Sequence, residues 1–195
     1  MSSLEDNFKE LLSRIDRGRE VGHASFEPIY YLIFHPKEIL EVKRKIQSNQ
    51  PTWKVKLEKE GWEVFFFSIA THVKQFWQDD PRRQLWLLAD DDEPQDPQDV
   101  NAALANALEN GALIQAELDK LLSSVEGKTK SIVLVTDLEA LHPYLRIGGI
   151  ESQLQGKFTV PTVFLYPGTR EGKTSLRFLG FYPPDGNYRS VHVGG

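Results

Sequence analysis

The stretch Ser131-Ile132-Val133-Leu134-Val135-Thr136, which Asp137 follows, is the clearest strand signal in the chain. An unbroken apolar run of this length, rich in β-branched residues, is typical of a strand buried on both faces, as in a parallel sheet. The segment before it, residues 100–125, places alanine and leucine at helical spacing, and Gly111 is a weak point that could divide it into two helices. Helix followed by buried strand indicates an α/β fold.

The same alternation extends outward in both directions. Further strands are predicted at residues 29–34, 62–67, 85–89, 160–166 and 175–181, and further helices at residues 4–15, 36–46 and 71–78. Ser2 and Glu5 have the spacing of a capping box at the start of the first helix. Asp90 to Asp99, acidic and interrupted by two prolines, is predicted to be a solvated loop. We expect a single α/β domain over residues 1–195, with a mainly parallel sheet of about five strands flanked by helices.

Composition narrows the classes of function. The chain contains no cysteine, which excludes disulfides, thiolate metal sites and cysteine nucleophiles and suits a reducing cytoplasm. Its formal net charge is −5, and its lysines and arginines are scattered. A protein that binds duplex DNA on its own usually carries a basic patch, so we expect no autonomous binding of duplex DNA. No signal peptide and no membrane-spanning segment are evident, so no membrane association is expected.

The strand that ends at Asp137 resembles the strand of P-loop NTPases whose terminal acidic residue holds Mg²⁺. Such a strand binds nucleotide only beside a phosphate-cradling loop, and at the expected place the chain has His35-Pro36-Lys37-Glu38, without glycine. The simpler interpretation is that Asp137 caps the next segment. A degenerate P-loop-NTPase-like fold without a phosphate loop is therefore one form of the predicted class.

The segment Gly168 to Thr174 is the closest approach to a phosphate loop. It is one residue short between its glycines, and the residues after it alternate like a strand. Without a helix there is no positive helix terminus for a phosphate to meet. A hairpin-like turn is the better interpretation.

No catalytic or metal-binding constellation is evident, and no cofactor is expected. The five histidines are far apart in sequence and form no metal-ligand spacing: His23, His35, His72, His142 and His192. The serines lack the setting of a hydrolase nucleophile. Acidic residues 90–93 could bind a divalent cation, but beside prolines they more often form a solvated loop. We therefore expect a protein that is not an enzyme.

The carboxyl-terminal third has the most distinctive local sequence. A Pro-Asp-Gly turn centred on Asp185 is followed by Tyr188 and Arg189, and Arg177 lies on the strand before it. Tyrosine and arginine are enriched at the centres of protein interfaces. Arg177, Asp185, Tyr188 and Arg189 are therefore the candidate partner-binding residues. The alternative, that they pack this last segment onto the sheet edge, stays open.

Two long stretches resemble the BrxB family of BREX bacteriophage-defence systems. They are VLVTDLEALHPYLRIGGIESQLQGK, residues 133–157, and VPTVFLYPGTREGKTSLRFLGFYPPDGNYRS, residues 160–190. The length of the chain also fits the family. The resemblance implies a system with an adenine-specific DNA methyltransferase, a large ATPase and PglZ, a protein of the alkaline-phosphatase-like class. It implies no catalytic residues for this chain.

Two hypotheses of function follow. The first is a non-catalytic adaptor that supports host DNA methylation and phage restriction by binding another BREX subunit, above all PglZ. The second is a regulatory module that senses nucleotide or DNA with a decayed P-loop-like fold. The segment after Gly168 to Thr174 distinguishes them, because a helix there would favour the sensor and a strand the adaptor.

Overall fold

The computed structural model describes residues 3–18, 27–92, 96–172, 175–186 and 190–195. Six strands lie in these ranges: β1 (Ile29–Phe34), β2 (Glu63–Ser68), β3 (Ser131–Thr136), β4 (Thr162–Glu171), β5 (Ser175–Phe178) and β6 (Val191–Gly194). Eight α-helices accompany them: α1 (Leu4–Arg17), α2 (Ile39–Gln47), α3 (Thr52–Lys59), α4 (Ile69–Asp79), α5 (Arg83–Asp92), α6 (Pro97–Gly111), α7 (Leu113–Val125) and α8 (Ile147–Gln153).

The strands form one mainly parallel sheet, so the predicted α/β class is confirmed. Its order is β2-β3-β4-β1-β6, and every neighbouring pair along this path is parallel. β4 continues beyond the parallel part of the sheet, where its last residues pair with β5 in an antiparallel hairpin. Parallel strands need crossover connections, and α2 to α8 lie in those connections.

Alternate residues of the central strands belong to two separate hydrophobic cores, one on each face of the sheet. In β3, Ile132 and Leu134 belong to the core under α1, α2 and α3. Val133 and Val135, between and beyond them, belong to the core under α4, α7 and α8. Successive side chains of a strand point to opposite faces of the sheet. Because both faces are buried here, the run shows no polar interruption.

The first helix begins at Leu4, as predicted, but its N-cap is one residue later than the predicted capping box. Ser3 is the N-cap, and its side chain accepts a hydrogen bond from the backbone N–H of Asp6. Ser2 lies outside the described residues. Glu5 accepts hydrogen bonds from Lys45 and from the indole N–H of Trp53. It thereby ties α1 to α2 and α3.

The predicted strand at residues 85–89 is wrong, because this segment lies in α5. Five consecutive apolar residues fit either a short buried strand or one turn and a half of helix, and periodicity alone does not separate the two. The local signal for the helix lies upstream, where the Asp80 carboxylate accepts a hydrogen bond from the backbone N–H of Arg82. The side chains of Leu85 and Leu88 are exposed, so burial does not explain the apolar run.

The predicted acidic loop is largely helical as well. Residues 90–92 are the last turn of α5, and α6 begins at Pro97 with the Asp96 side chain accepting from the backbone N–H of Gln98. Proline is tolerated at the first position of a helix, so Pro97 begins α6 although it was expected to lie in a loop. The division of residues 100–125 at Gly111 is confirmed, since α6 ends there and α7 follows.

Three elements have no counterpart in the sequence-based prediction: α3, α8 and β6. β6 has only four residues and lies at the edge of the sheet beside β1, which raises the strand count from about five to six. β2 lies at the opposite edge and is half-buried, whereas a fully buried strand was expected. The prediction that residues 1–195 form a single domain stays a prediction.

Candidate functional site

The carboxyl edge of the parallel sheet is where open α/β folds usually bind ligands. The loop after β1 is a short 3-10 turn from Pro36 to Glu38. Its backbone donors are already occupied: the His35 N–H donates to the Glu38 carboxylate over 2.8 Å, and the Lys37 N–H donates to the His35 ring over 3.2 Å. A phosphate-binding loop needs free, converging N–H groups, whereas two N–H groups of this turn already donate to its own side chains.

Asp137 follows β3 at the same edge and is held by three side chains. Its carboxylate accepts hydrogen bonds from the hydroxyls of Ser68, at 2.7 Å, and Thr136, at 2.8 Å. The Lys43 ammonium lies 2.8 Å from the other carboxylate oxygen and 2.6 Å from the carboxylate of Glu139. The expected capping role is wrong, because the side chain of Asp137 makes no cap hydrogen bond to the following 3-10 turn. It binds side chains from three other elements instead.

Burial raises the pKa of the Asp137 carboxyl, but the hydrogen bonds from Lys43, Ser68 and Thr136 outweigh it and bring the pKa below its usual value. Asp137 is therefore ionised, as a magnesium-holding residue would be. Lys43 takes the place of the cation. The crevice around this pair has a volume of about 10 Å³, which is room for roughly one water molecule. A nucleotide does not fit there in this conformation.

The segment from Gly168 leads into a strand, as the hairpin interpretation predicts. Glu171 pairs with Ser175 and Gly168 with Phe178, so β4 and β5 form an antiparallel ladder. A Cβ atom at Gly168 would lie 2.4 Å from the carbonyl oxygen of Arg177 and 2.6 Å from the ring of Tyr166. This glycine therefore permits close packing of the hairpin. Lys173 and Thr174 lie outside the described residues.

Two of the four candidate partner-binding residues are described, and both have structural partners. The Arg177 guanidinium lies 2.5 Å from the Glu171 carboxylate and donates to the carbonyl oxygen of Tyr182 over 3.3 Å. Asp185 exchanges two backbone hydrogen bonds of 2.8 Å with Leu176. The structure thus places Asp185 beside β5, the strand that carries Arg177. Tyr188 and Arg189 lie outside the described residues.

An open cleft of about 290 Å³ lies beside this hairpin, and sequence reasoning missed the residues that shape it. The Arg146 guanidinium stacks on the ring of Tyr182 at 3.4 Å from its centroid. The Tyr182 hydroxyl is hydrogen-bonded to the ring of His142. Phe181 beside them is 61% exposed. Arg146 precedes α8, which periodicity did not reveal, so its approach to the carboxyl-terminal segment had no signal in the sequence.

A second buried polar group lies under α8. The Tyr31 hydroxyl donates to the Glu151 carboxylate, and burial raises the pKa of the Glu151 carboxyl above its usual value. His192 on β6 lies edge-on to the Tyr31 ring, with ring centroids 5.5 Å apart. Burial lowers the pKa of His192 to about 4, so the ring is neutral at physiological pH.

The described ranges contain no cluster of three or more histidine or acidic side chains arranged to hold a metal ion. Nor does any helix in those ranges have the length and apolar character needed to span a bilayer.

The comparisons with known proteins give one finding. Searches of curated proteins and of solved structures returned no match. A protein-family model described as BREX protein BrxB matches residues 82–193. The match begins just before α5 and contains both stretches that carried the resemblance, the Lys43 partners Asp137 and Glu139, and the carboxyl-terminal hairpin. Because it covers more than half of the chain, the chain belongs to the BrxB family of BREX proteins.

Proposed function

We propose that this chain is a non-catalytic adaptor subunit that supports host DNA adenine methylation and phage restriction by binding a PglZ-type protein. Its family makes it a component of a BREX phage-defence system. The adaptor role and the choice of PglZ, with the methyltransferase and the large ATPase as further partners, are the proposal.

The observation that carries the proposal is the closed crevice at the carboxyl edge of the sheet. Lys43 fills the position where a bound cation and phosphate would be needed, and about 10 Å³ remains. The turn at Pro36 uses its own backbone donors. The strand β5 after Gly168 was the feature expected of an adaptor. Together these observations favour the adaptor over a nucleotide-sensing module.

The carboxyl-terminal hairpin and the turn after it are the proposed PglZ-binding surface. Asp185 is exposed there, and Phe181 and the open cleft beside Tyr182 add apolar and aromatic area. Exposed aromatic side chains next to a rigid turn suit a contact that is organised before binding. Arg177 belongs to this surface as a support, because its guanidinium already holds Glu171 and Tyr182.

The deciding experiment is co-purification of the tagged chain with its operon partners, followed by affinity measurements with purified PglZ. Tyr188→Ala is expected to weaken binding roughly thirtyfold, the equivalent of about 2 kcal/mol for a central anchor. Val55→Ala is the matched control, because Val55 is exposed on α3, which packs against the edge strand β2. The melting temperature of each variant must be measured as well.

Two results would contradict the adaptor role and favour the sensor: micromolar ATP binding that Lys173→Ala abolishes, and tight, sequence-specific DNA binding at physiological salt in a gel-shift series. An unchanged affinity for PglZ would remove only this surface from the proposal. If the melting temperature were lowered as well, Tyr188 would be shown to pack internally. We expect no ATP hydrolysis by the isolated chain and only weak, salt-sensitive DNA binding, since the net charge is −5.

A further inference from the structure

Helix α5 exposes apolar side chains that the rest of the molecule leaves uncovered. Leu85, Leu87 and Leu88 are 65%, 45% and 61% exposed. A run of consecutive apolar residues on a surface helix is unfavourable in water, and a helix that is apolar all round is normally buried. Isolated exposed leucines need no explanation, but three within four residues form a patch.

One of these leucines, Leu87, lines an apolar groove of about 470 Å³ between α4, α5 and α6. Its walls include Trp77, which contacts both Trp86 and Tyr144 edge to face. Leu87 lines one side, and Leu104 lines the other. A groove with rigid aromatic walls and aliphatic sides matches the centre of many protein interfaces, where such residues supply most of the binding energy.

The charge of this region limits what can bind it. Residues 82–99 contain two arginines and six acidic residues, a net charge of −4 out of −5 for the whole chain. Three of the acidic residues, Asp90 to Asp92, form the last turn of α5, and Asp99 lines the groove. The groove is therefore apolar in the middle. The charged residues in its lining are Arg83 on α5 and Asp99 on α6, and the last turn of α5 adds three acidic residues to this region.

These charges argue against three kinds of occupant. A nucleic acid or an anionic membrane would be repelled. A second copy of the chain, packed about a two-fold axis, would set these acidic residues against their own counterparts, because such an interface uses the same patch twice. The acidic residues of this region favour a ligand with positive charge, and the shape of the groove favours an apolar ridge.

We propose that the α5–α6 groove binds an amphipathic helical segment of another protein, one with an apolar stripe flanked by lysine or arginine. Such a segment places its stripe in the groove and its basic residues against Asp99 and the end of α5. This inference goes beyond the proposed function, since the groove is separate from the carboxyl-terminal hairpin and does not depend on PglZ being the partner.

The test uses the full chain and two synthetic probes. Both are helical peptides of about 18 residues, roughly five turns, with leucine at positions i, i+3, i+4 and i+7; one carries lysine elsewhere and the other glutamate. Binding is followed by fluorescence anisotropy of labelled peptide. The chain is expected to bind the lysine peptide at least tenfold more tightly than the glutamate peptide. Leu87→Gln, which changes an exposed leucine that lines the groove, is expected to lose roughly tenfold in affinity for the lysine peptide, a loss of about 1.4 kcal/mol.

Leu40→Gln is the matched control, since it removes an exposed leucine from a different helix and should leave binding unchanged. Both variants should keep the circular dichroism and melting temperature of the parent chain, because the residues changed are exposed. Equal binding of the two peptides, or full binding by Leu87→Gln, would overturn the proposal. A concentration-dependent dimer that this variant abolishes would assign the groove to a second copy of the chain and would overturn it as well.

Discussion

The parallel sheet and helix α5 distribute polar and apolar side chains in opposite ways. Around the sheet, charged and polar groups are buried: the Asp137 carboxylate is 6% exposed, and Glu151 and His192 are buried beneath α8 and at β6. On α5, leucines are exposed over three of four consecutive positions. Each arrangement is unfavourable unless something compensates for it.

The compensation is present in one region and missing in the other. Asp137 has Lys43, Ser68 and Thr136, and Glu151 has the Tyr31 hydroxyl. The leucines of α5 have only solvent beside much of their surface. A polar cluster whose hydrogen bonds are all made within the molecule contributes to the fold. An exposed apolar patch is instead typical of an interaction site, so function is better sought on α5.

The largest expected effect contrasts the same substitution on two helices. Leu118→Ala on α7 removes a fully buried side chain and is expected to cost about 3 to 4 kcal/mol of unfolding free energy through lost burial and a residual cavity. Leu85→Ala on α5 is expected to change stability by less than about 0.5 kcal/mol, because that side chain is 65% exposed. Urea denaturation measures both. A large loss for Leu85→Ala would mean that α5 is already covered within the chain.

The second effect follows from His192. Its pKa falls from 6.5 in the unfolded chain to about 4 in the folded protein, so the unfolded state binds more protons between these values. The stability that the neutral ring contributes is complete above pH 6.5 and declines as the pH falls to about 4, by a total of about 3 kcal/mol. His192→Phe keeps a ring against Tyr31 but cannot be protonated.

The measurement compares His192→Phe with the parent chain at pH 8 and pH 4. The variant should gain about 3 kcal/mol relative to the parent at the lower pH. The comparison is made as a difference because Glu151 acts in the opposite sense. Its pKa is raised, so its contribution is present at low pH and lost as the pH rises. A pH-independent difference would show that His192 is not responsible for acid sensitivity.

The third effect concerns the pair that closes the crevice. Lys43→Met keeps the aliphatic stem and leaves a buried carboxylate with only two hydroxyl donors, which should cost about 2 kcal/mol. Lys54→Met breaks an exposed pair with Glu58 and is the control, with an expected loss below about 0.5 kcal/mol. The penalty at Lys43 should shrink as the pH falls, since protonation of Asp137 removes the unpaired charge.

Lys43→Met/Asp137→Asn supplies a rescue. Asp137 has a left-handed backbone conformation, with φ at 61°, and asparagine is among the few residues that tolerate it. Replacing both members of the pair removes the charge and should recover most of the lost stability. Failure to recover it would mean that the Lys43 contacts, and not the pairing of Asp137, stabilise this edge.

The sequence reveals the central strands of the fold better than its edges. β1 and β3 are unbroken apolar runs whose ends match the structure, because strands buried on both faces have no polar interruptions. β6 has four residues and contains His192, so nothing local identifies it as a strand. β6 forms a strand because it pairs with β1. The α5 error has the opposite cause: an apolar run predicts burial, but the leucines of α5 are exposed in the structure.

Part of the candidate site could also be predicted from the sequence. The Asp137 position after an apolar strand was identifiable, and so was the unsuitability of Pro36 in a phosphate loop. Lys43 as the partner of Asp137 was not, because the two residues come together only when α2 packs against the end of β3. The same holds for Arg146 and Tyr182, which meet across the carboxyl-terminal cleft.

The smallest expected effect tests whether the charge of α5 serves binding at the expense of stability. Asp90, Asp91 and Asp92 stand in the last turn of the helix, where the helix dipole is negative and carboxylates are unfavourable by roughly 0.3 kcal/mol or more each. Changing all three to asparagine should therefore stabilise the chain slightly, by about 0.5 to 1 kcal/mol, with the gain shrinking at high salt. The same variant should lose much of the preference for the lysine peptide over the glutamate peptide. Asp6→Asn in the first turn of α1 is the matched control, because a carboxylate is favourable there and its removal should lower stability instead. A triple variant that is less stable than the parent chain would show that these carboxylates have partners within the molecule, and the last turn of α5 would then have no free charge to offer a basic segment.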